Sequence, residues 1–264
     1  MTHARLPLSA TIICNNEEAC IGACLASLAD CADIVVVDSG STDRTLAIVA
    51  DFSARGFPVR LFQRDWPGYA RQKQFALEQA REDWVLSIDA DEWLDAELRA
   101  DLPRLLEAPA QVAGWRLPRV LTFYGETEPP PPAVRPDPIL RLVRREGARF
   151  DETVLVHEGL AVEGEVCDAN RGLLRHERGL RLDAQLPKEI LYARLKAEQR
   201  IAAGKKPSAF KLVFNPPLYF FRIFVMRRVF LCGAPGFIHA MTGAIYSFMA
   251  EALHFQMARE RRTK

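Results

Sequence analysis

From Ser9 to Leu106 the chain alternates two patterns of apolar residues. Ser9–Cys14, Ile34–Val37, Val59–Phe62 and Trp84–Ile88 are short, nearly continuous apolar runs rich in β-branched or aromatic residues. Such runs predict strands buried on both faces. Between them, Glu17–Leu28 carries Ile21, Leu25 and Leu28 at helical spacing, and Thr45–Arg55, Gln72–Ala80 and Leu94–Leu106 follow the same period. Continuous strands alternating with amphipathic helices predict an α/β fold with a mostly parallel sheet flanked by helices.

After Gly114 the pattern changes. Trp115–Phe123 and Ile139–Arg144 read as strands on either side of a Pro-rich loop, Glu128–Pro138, whose run of prolines excludes helix and central strand. Thr153–Val156, Gly159–Val162 and Leu173–His176 add short strands, so this half is expected to be antiparallel or mixed. From Gln185 the pattern is helical, over Leu186–Ala203, Ala209–Leu231 and Phe237–Arg259, with a break or kink expected at Asn215-Pro216-Pro217. The expected organisation is an α/β half over 1–110, a mixed-sheet half of the same domain over 111–184, and a helical segment over 185–264.

Composition is that of an ordinary folded chain, 49% apolar and 26% charged, and the net charge is +1. That average conceals an asymmetry. Residues 1–187 hold 21 Lys/Arg and 30 Asp/Glu, a balance of −9, whereas residues 188–264 hold 14 and 4, a balance of +10. A basic helical tail that also carries Phe and Leu bulk fits an interfacial helix on an anionic membrane surface. Lys211, Arg222, Arg227 and Arg228 interrupt it, against about 20 uncharged residues for a spanning helix. A nucleic-acid partner would leave the acidic body without a role. The six cysteines form no C-x-x-C pair and read as reduced apolar residues. Met1–Arg5 leads into a strand-like run without a long apolar stretch, so a cytoplasmic chain is expected. Oligomeric state is not legible.

In open α/β sheets ligands bind beyond the carboxyl ends of the parallel strands. Three polar clusters fall there: Asn15-Asn16-Glu17-Glu18, Asp38-Ser39-Gly40-Ser41-Thr42-Asp43 and Asp89-Ala90-Asp91-Glu92. Asp38 is placed to accept hydrogen bonds from a base or ribose, and Ser39, Gly40 and Ser41 make a tight polar turn, with Ser41 or Thr42 a candidate cap for the next helix. Asp89 and Asp91, two residues apart at a strand end, are expected on one side of the chain. A hard cation such as Mg²⁺ takes one or two carboxylates plus substrate phosphates, and there it neutralises a departing diphosphate. Glu92 and Asp95 suit the start of the following helix. Arg71 and Lys73 are candidate diphosphate contacts. In His157-Glu158 a positioned carboxylate is a natural general base for an attacking hydroxyl.

Taken together, the motifs resemble glycosyltransferase family 2, of the GT-A fold, and most closely its bacterial branch that adds glucose or similar sugars to the lipopolysaccharide inner core. The carrying residues are Ile13–Glu18, Ile34–Asp43, Tyr69–Ala76, Trp84–Glu92, Ile139–Arg144 and Val156–Glu158. The resemblance implies inverting transfer of a hexose from a nucleoside-diphosphate sugar, a UDP-sugar by expectation, to a saccharide or glycolipid acceptor. It implies a donor site of Asn15, Glu17, Asp38, Ser39, Gly40, Ser41, Arg71, Lys73, Asp89 and Ala90. It further implies Mg²⁺ or Mn²⁺ on Asp91, catalysis by Glu158 with His157, and Arg141 on the acceptor side. The charged C-terminal helices resemble the family's membrane-facing segment, which places the chain on the cytoplasmic face of the inner membrane. Gln74 departs from the asparagine usual after the lysine.

Three other classes fit less well. Nucleotidyl transfer needs a basic, Gly-rich loop after the first strand, where this chain has Asn15-Asn16-Glu17-Glu18. A dehydrogenase fails there too, since no G-x-G-x-x-G follows that strand. A non-catalytic sugar-nucleotide binder or scaffold predicts a missing acid or base, and every candidate is present.

Overall fold

The structure, a computed structural model, describes residues 4–123, 130–151, 159–177 and 182–262. The chain divides into two compact units. The first takes in residues 1–121, 137–153 and 158–177, and the second 122–136, 154–157 and 178–264.

In the first unit, β1 (Leu6–Cys14), β2 (Cys31–Asp38), β3 (Val59–Gln63) and β4 (Trp84–Ser87) are parallel, in the order β3-β2-β1-β4. α1 (Ile21–Ser27), α2 (Thr45–Ala54) and α3 (Tyr69–Glu78) connect them. β2 is buried from Asp33 to Asp38, as a strand covered on both faces must be. Beyond β4 the sheet becomes antiparallel through β7 (Asp137–Arg144) and β6 (Val112–Thr122), and continues to β11 (Leu174–Glu177) and β5 (Glu92–Leu94), while β10 (Glu165–Asp168) pairs with β6. β8 (Arg149–Phe150) and β9 (Leu160–Ala161) form a separate ribbon. The main core lies between the sheet and α1, α2 and α4 (Ala96–Leu106), with Leu8, Ile12, Ile34, Leu86, Leu98 and Leu102 essentially inaccessible.

Two elements depart from the expected pattern. The helix after the acidic motif starts at Ala96, not Leu94, because Glu92–Leu94 pairs with β11 as a strand. Asp95 caps it, its carboxylate accepting from Leu98 N–H at 2.8 Å. Gln74, which replaces the usual asparagine, accepts from Phe150 N–H at 2.9 Å and donates to Glu78, tying α3 to the ribbon.

At the amino-terminal end of the strands, Asp33 is buried in a closed network. It takes two bonds from Arg60, at 2.7 and 2.9 Å, and one from Ser9 at 2.8 Å. Burial pushes the Asp33 carboxyl up, but Arg60 and Ser9 outweigh it, and the group sits below the usual carboxylate range.

From Leu182 on, the second unit is mainly helical: α5 (Leu182–Ala202), α6 (Ala209–Phe221), a π-turn over Arg222–Met226, a 3₁₀ turn over Val229–Cys232, and α7 (Gly233–Arg262). α6 runs through Pro216 and Pro217 into the π-turn, and the chain breaks later than expected, at Arg228, which has φ 59°. Proline's fixed φ suits a helix; two N–H donors are lost, but Ser208 caps the start. Ala193 and Ala197 of α5 and Ala250 of α7 are buried where these helices pack. Gly243 permits the approach of α7 to α6, since a Cβ there would lie 2.4 Å from the Tyr219 ring. By length and composition alone, Ala209–Met226 and Val229–Arg261 suffice to cross a membrane, a wider reading than the charge count allowed. The first of these is almost wholly exposed, whereas more of the second is buried.

Candidate active site

The loops after β1 and β2 are stitched into one surface. Asn16 adopts φ 57°, a left-handed conformation that asparagine tolerates, and its Oδ1 accepts from Thr42 N–H at 2.8 Å and Asp43 N–H at 3.3 Å. Asn15 donates to the Ser39 carbonyl at 2.9 Å, and the Glu17 N–H donates to Thr45 Oγ1 at 2.8 Å. Asp38 is inaccessible; its carboxylate accepts from Gly40 N–H at 2.9 Å, Ser41 N–H at 3.0 Å and the Ser41 hydroxyl. Asp38 thus shapes the turn through Ser39, Gly40 and Ser41. Neither Ser41 nor Thr42 caps α2: its first turn follows Arg44, whose side chain makes no capping bond. Gln72, unremarked in the sequence, is inaccessible and donates to Ser39 Oγ at 2.9 Å.

The acidic motif turns between β4 and β5, with Glu92 N–H donating to the Asp89 carbonyl at 3.0 Å. A turn does not alternate, so the two aspartates diverge instead of sharing one side. Asp89 Oδ1 lies 2.7 Å from Lys73 Nζ, and Oδ2 accepts from Arg141 Nη2. Asp91 Oδ2 lies 3.2 Å from His176 Nε2 on β11. Ala90 between them is buried. Burial pushes the Asp89 carboxyl up, but Arg141 and Lys73 hold it far below the ordinary range. For Asp91 the same contest is decided by His176, again downward.

Glu92 is not a helix-start acid. It is fully buried on β5 and accepts from Arg141 Nη2 at 2.9 Å and Arg119 Nη1 at 3.3 Å. Its Oε2 also receives Asp89 N–H at 3.2 Å, so it braces the turn from beneath. Arg141, expected on the acceptor side, is only 6% exposed and bridges Asp89 and Glu92. Lys73 joins the acidic motif, whereas Arg71 is exposed and about 200° away around α3. His157 and Glu158 lie outside the described residues.

Like Gln72, His176 and Arg119 are site residues that the sequence did not reveal. β11 seats His176 through its antiparallel pairing with β5 and through Glu177 N–H donating to the Asp91 carbonyl at 2.8 Å. Gly172, just before β11, has φ 67°, and a Cβ there would fall 1.9 Å from Leu98 N. Only glycine allows that approach. Pairing between strands some eighty residues apart leaves no local signal.

Among the described residues no group of three His, Cys, Asp or Glu side chains forms a ready metal site. Asp91, 37% exposed at its side chain, and His176 together present two cation-ligating groups. Both oxygens of Asp89 are engaged by cations. The arrangement is a sheet edge with a polar cradle on one side and a fixed acidic turn on the other.

Comparison with known proteins fits this geometry. The chain is 49% identical, over 96% of its length and 93% of the relative's, to the lipopolysaccharide core biosynthesis glycosyltransferase LpsC of Rhizobium meliloti. It is 30% identical, over 92% and 84%, to a glycosyltransferase of Rickettsia bellii. Among solved structures, the mannosyltransferase PcManGT from Pyrobaculum calidifontis, in complex with GDP-Man and Mn²⁺, aligns with a TM-score of 0.54 at 17% identity, over 99% of this chain and 81% of that one. S. aureus TarS 1–349 in complex with UDP-GlcNAc aligns at 0.52 and 15% identity, over 97% and 92%. These likenesses establish the GT-A-type fold. The family described as glycosyl transferase family 2 matches residues 9–153. With half the chain matched by the family and a near-full-length relative at 49% identity, the chain belongs to glycosyltransferase family 2.

Proposed function

We propose that this glycosyltransferase moves a hexose from a nucleoside-diphosphate sugar, with UDP the expected carrier, to a lipopolysaccharide-core or other lipid-linked saccharide, with inversion and with a divalent cation at Asp91. The observation that carries the reading is the division of the acidic motif. Lys73 and Arg141 engage both oxygens of Asp89 and Glu92 braces its backbone, so Asp91, whose carboxylate meets only the His176 imidazole in an ion pair among the described residues, is the half of the motif left to a cation. The name of the Rhizobium meliloti relative supports the acceptor, and the ligands of the two solved structures support a sugar nucleotide as donor.

Asp91 and His176 fit Mg²⁺ or Mn²⁺ because such ions complete their shells with substrate phosphates and water. When bound, the cation supplies charge neutralisation for the leaving diphosphate. The rest falls to the chain's own residues. The loops holding Asn15, Glu17, Asp38, Ser39, Gly40 and Ser41 form the donor cradle. Asp89 fixes Lys73 and Arg141, and Arg71 remains the exposed candidate for a diphosphate contact. In the proposed displacement an acceptor oxygen attacks the anomeric carbon as its bond to the diphosphate oxygen breaks, and Glu158, assisted by His157, takes the hydroxyl proton. The basic 188–264 segment and the exposed apolar residues of α6 support a peripheral place on the cytoplasmic face of an anionic membrane.

A panel of nucleotide sugars, assayed for binding and hydrolysis with and without Mn²⁺, tests the reading. One sugar nucleotide should be turned over with metal and not without it; binding of none of them would leave a scaffold as the better account. Glu158→Gln should lower kcat by about 10²–10⁴ with donor binding kept. A loss confined to donor affinity rejects the base.

A further inference from the structure

The helical unit contains a cavity of about 300 Å³ that the transfer reaction does not use, walled by α5, α6 and α7. That is at the small end of ligand-binding cavities, room for a headgroup and not for a whole sugar nucleotide. Its walls follow from helical spacing. Lys196 and Arg200 are i, i+4 on α5; Asn215 and Tyr219 of α6 share one face with Arg222, the first residue of the π-turn; Tyr246 and Glu251 come from α7.

Charge in this cavity is not balanced. Glu251 is the one carboxylate in the lining, and it is committed: Asn215 donates to its Oε1 at 2.9 Å and Arg200 Nη1 lies 3.1 Å from its Oε2. Lys196 and Arg222 have no carboxylate within ion-pair distance among the described residues; each instead lies over a tyrosine ring, Tyr246 at 5.2 Å and Tyr219 at 5.4 Å. Glu189 acts on Tyr246 without lining the cavity. Burial, with Arg200 adding to it, pushes the Lys196 amine below its ordinary range against the opposing pull of Glu251. Three cations facing one committed carboxylate call for a compact, multiply charged oxyanion.

An apolar stripe adjoins this charge. Phe210, Val213, Phe214 and Phe221 are all more than half exposed along one side of α6. Leu218, 64% exposed, belongs both to that side and to the cavity lining, so the stripe continues into the cavity mouth. A soluble anion has no use for such a stripe; an acyl chain does.

We propose that this cavity binds a phosphomonoester carried by a lipid, with the phosphate among Lys196, Arg200 and Arg222 and the acyl chain along Leu218 and Phe214. The site extends the membrane reading, because it asks for a particular headgroup and not only for negative charge.

The experiment is flotation of the full chain with phosphatidylcholine vesicles containing phosphatidic acid, a phosphomonoester, or the same amount of phosphatidylglycerol, a phosphodiester. The intact protein should favour phosphatidic acid by about tenfold. The double variant Lys196→Gln/Arg222→Gln removes the two cations that lie over tyrosine rings and spares Arg200–Glu251. It should lose that preference and keep its phosphatidylglycerol binding within about twofold. Lys205→Gln/Lys206→Gln, outside the cavity, should weaken both vesicle types alike. Equal binding of both lipids by the intact protein, or an equal loss on both with the cavity variant, overturns the headgroup site while leaving general membrane attachment standing. Full displacement by millimolar inorganic phosphate would assign the cavity to a soluble ligand and overturn the lipid assignment.

Discussion

The two units handle charge and apolar surface in opposite ways. In the α/β unit the buried charges around the acidic motif are matched: Arg141 answers Asp89 and Glu92, Lys73 answers Asp89, and Arg119 answers Glu92. In the helical unit Lys196 and Arg222 meet no carboxylate at ion-pair distance among the described residues, and Phe210, Leu218 and Phe214 face outward. A site that must hold a reacting centre within a fraction of an ångström needs its charges fixed in advance. A surface that waits for a partner leaves its charge and apolar area unspent.

The sharpest way to break this contrast is to remove the bridge in the α/β unit. Arg141→Ala leaves Glu92 and Asp89 without their shared cation in a buried setting and should destabilise the protein by about 3–5 kcal/mol in urea unfolding. A change under about 1 kcal/mol would mean that the acidic turn does not depend on it. Two glycines test the packing of each unit. Gly172→Ala drives a methyl into the backbone at Leu98 and adds the strain of a left-handed φ, and should cost about 3 kcal/mol, with weakened donor turnover because β11 carries His176. Gly243→Ala meets only the Tyr219 ring, which can turn aside, and should cost about 1 kcal/mol. Reversal of that order would contradict the picture of a rigid sheet edge and a more adaptable helical unit.

A smaller effect appears only in acid. Asp33 has its carboxyl lowered in the folded chain, so its network contributes stability that is fully present above the unfolded value, near pH 4, and disappears as pH falls through the folded value. Asp33→Asn should therefore lower stability at neutral pH and flatten its loss on acidification. An unchanged slope between neutral and strongly acid pH would show that the network carries no such linkage.

Much of the α/β unit was legible because its strands are nearly unbroken apolar runs that end on polar clusters. Cys14, Asp38 and Ile88 mark those ends within a residue of the observed strands. What was not legible arose from pairing over long separations. β5 is three residues long and reads as the start of a helix until β11 lies beside it. Glu92 was accordingly misread, and His176 had no local motif to announce it. Alternation placed Asp89 and Asp91 on one side; the turn that the Asp89 carbonyl accepts from Glu92 sends them to different partners. On the helical side, Pro216 and Pro217 carried less weight than their usual reading, since the helix runs on as a π-turn to Met226 and breaks at Arg228.

The central claim is that the acidic motif is divided, with Asp91 and His176 receiving the cation and Asp89 serving as a fixed anchor. Mn²⁺ binding followed by electron paramagnetic resonance in the presence of UDP tests it most directly, on the intact protein, Asp91→Asn and His176→Ala, each with its unfolding midpoint recorded. The account predicts that each variant keeps its fold and weakens Mn²⁺ binding by about 10–100-fold, the usual cost of losing a ligand or its partner. Mn²⁺ bound as tightly by Asp91→Asn as by the unaltered chain would contradict it.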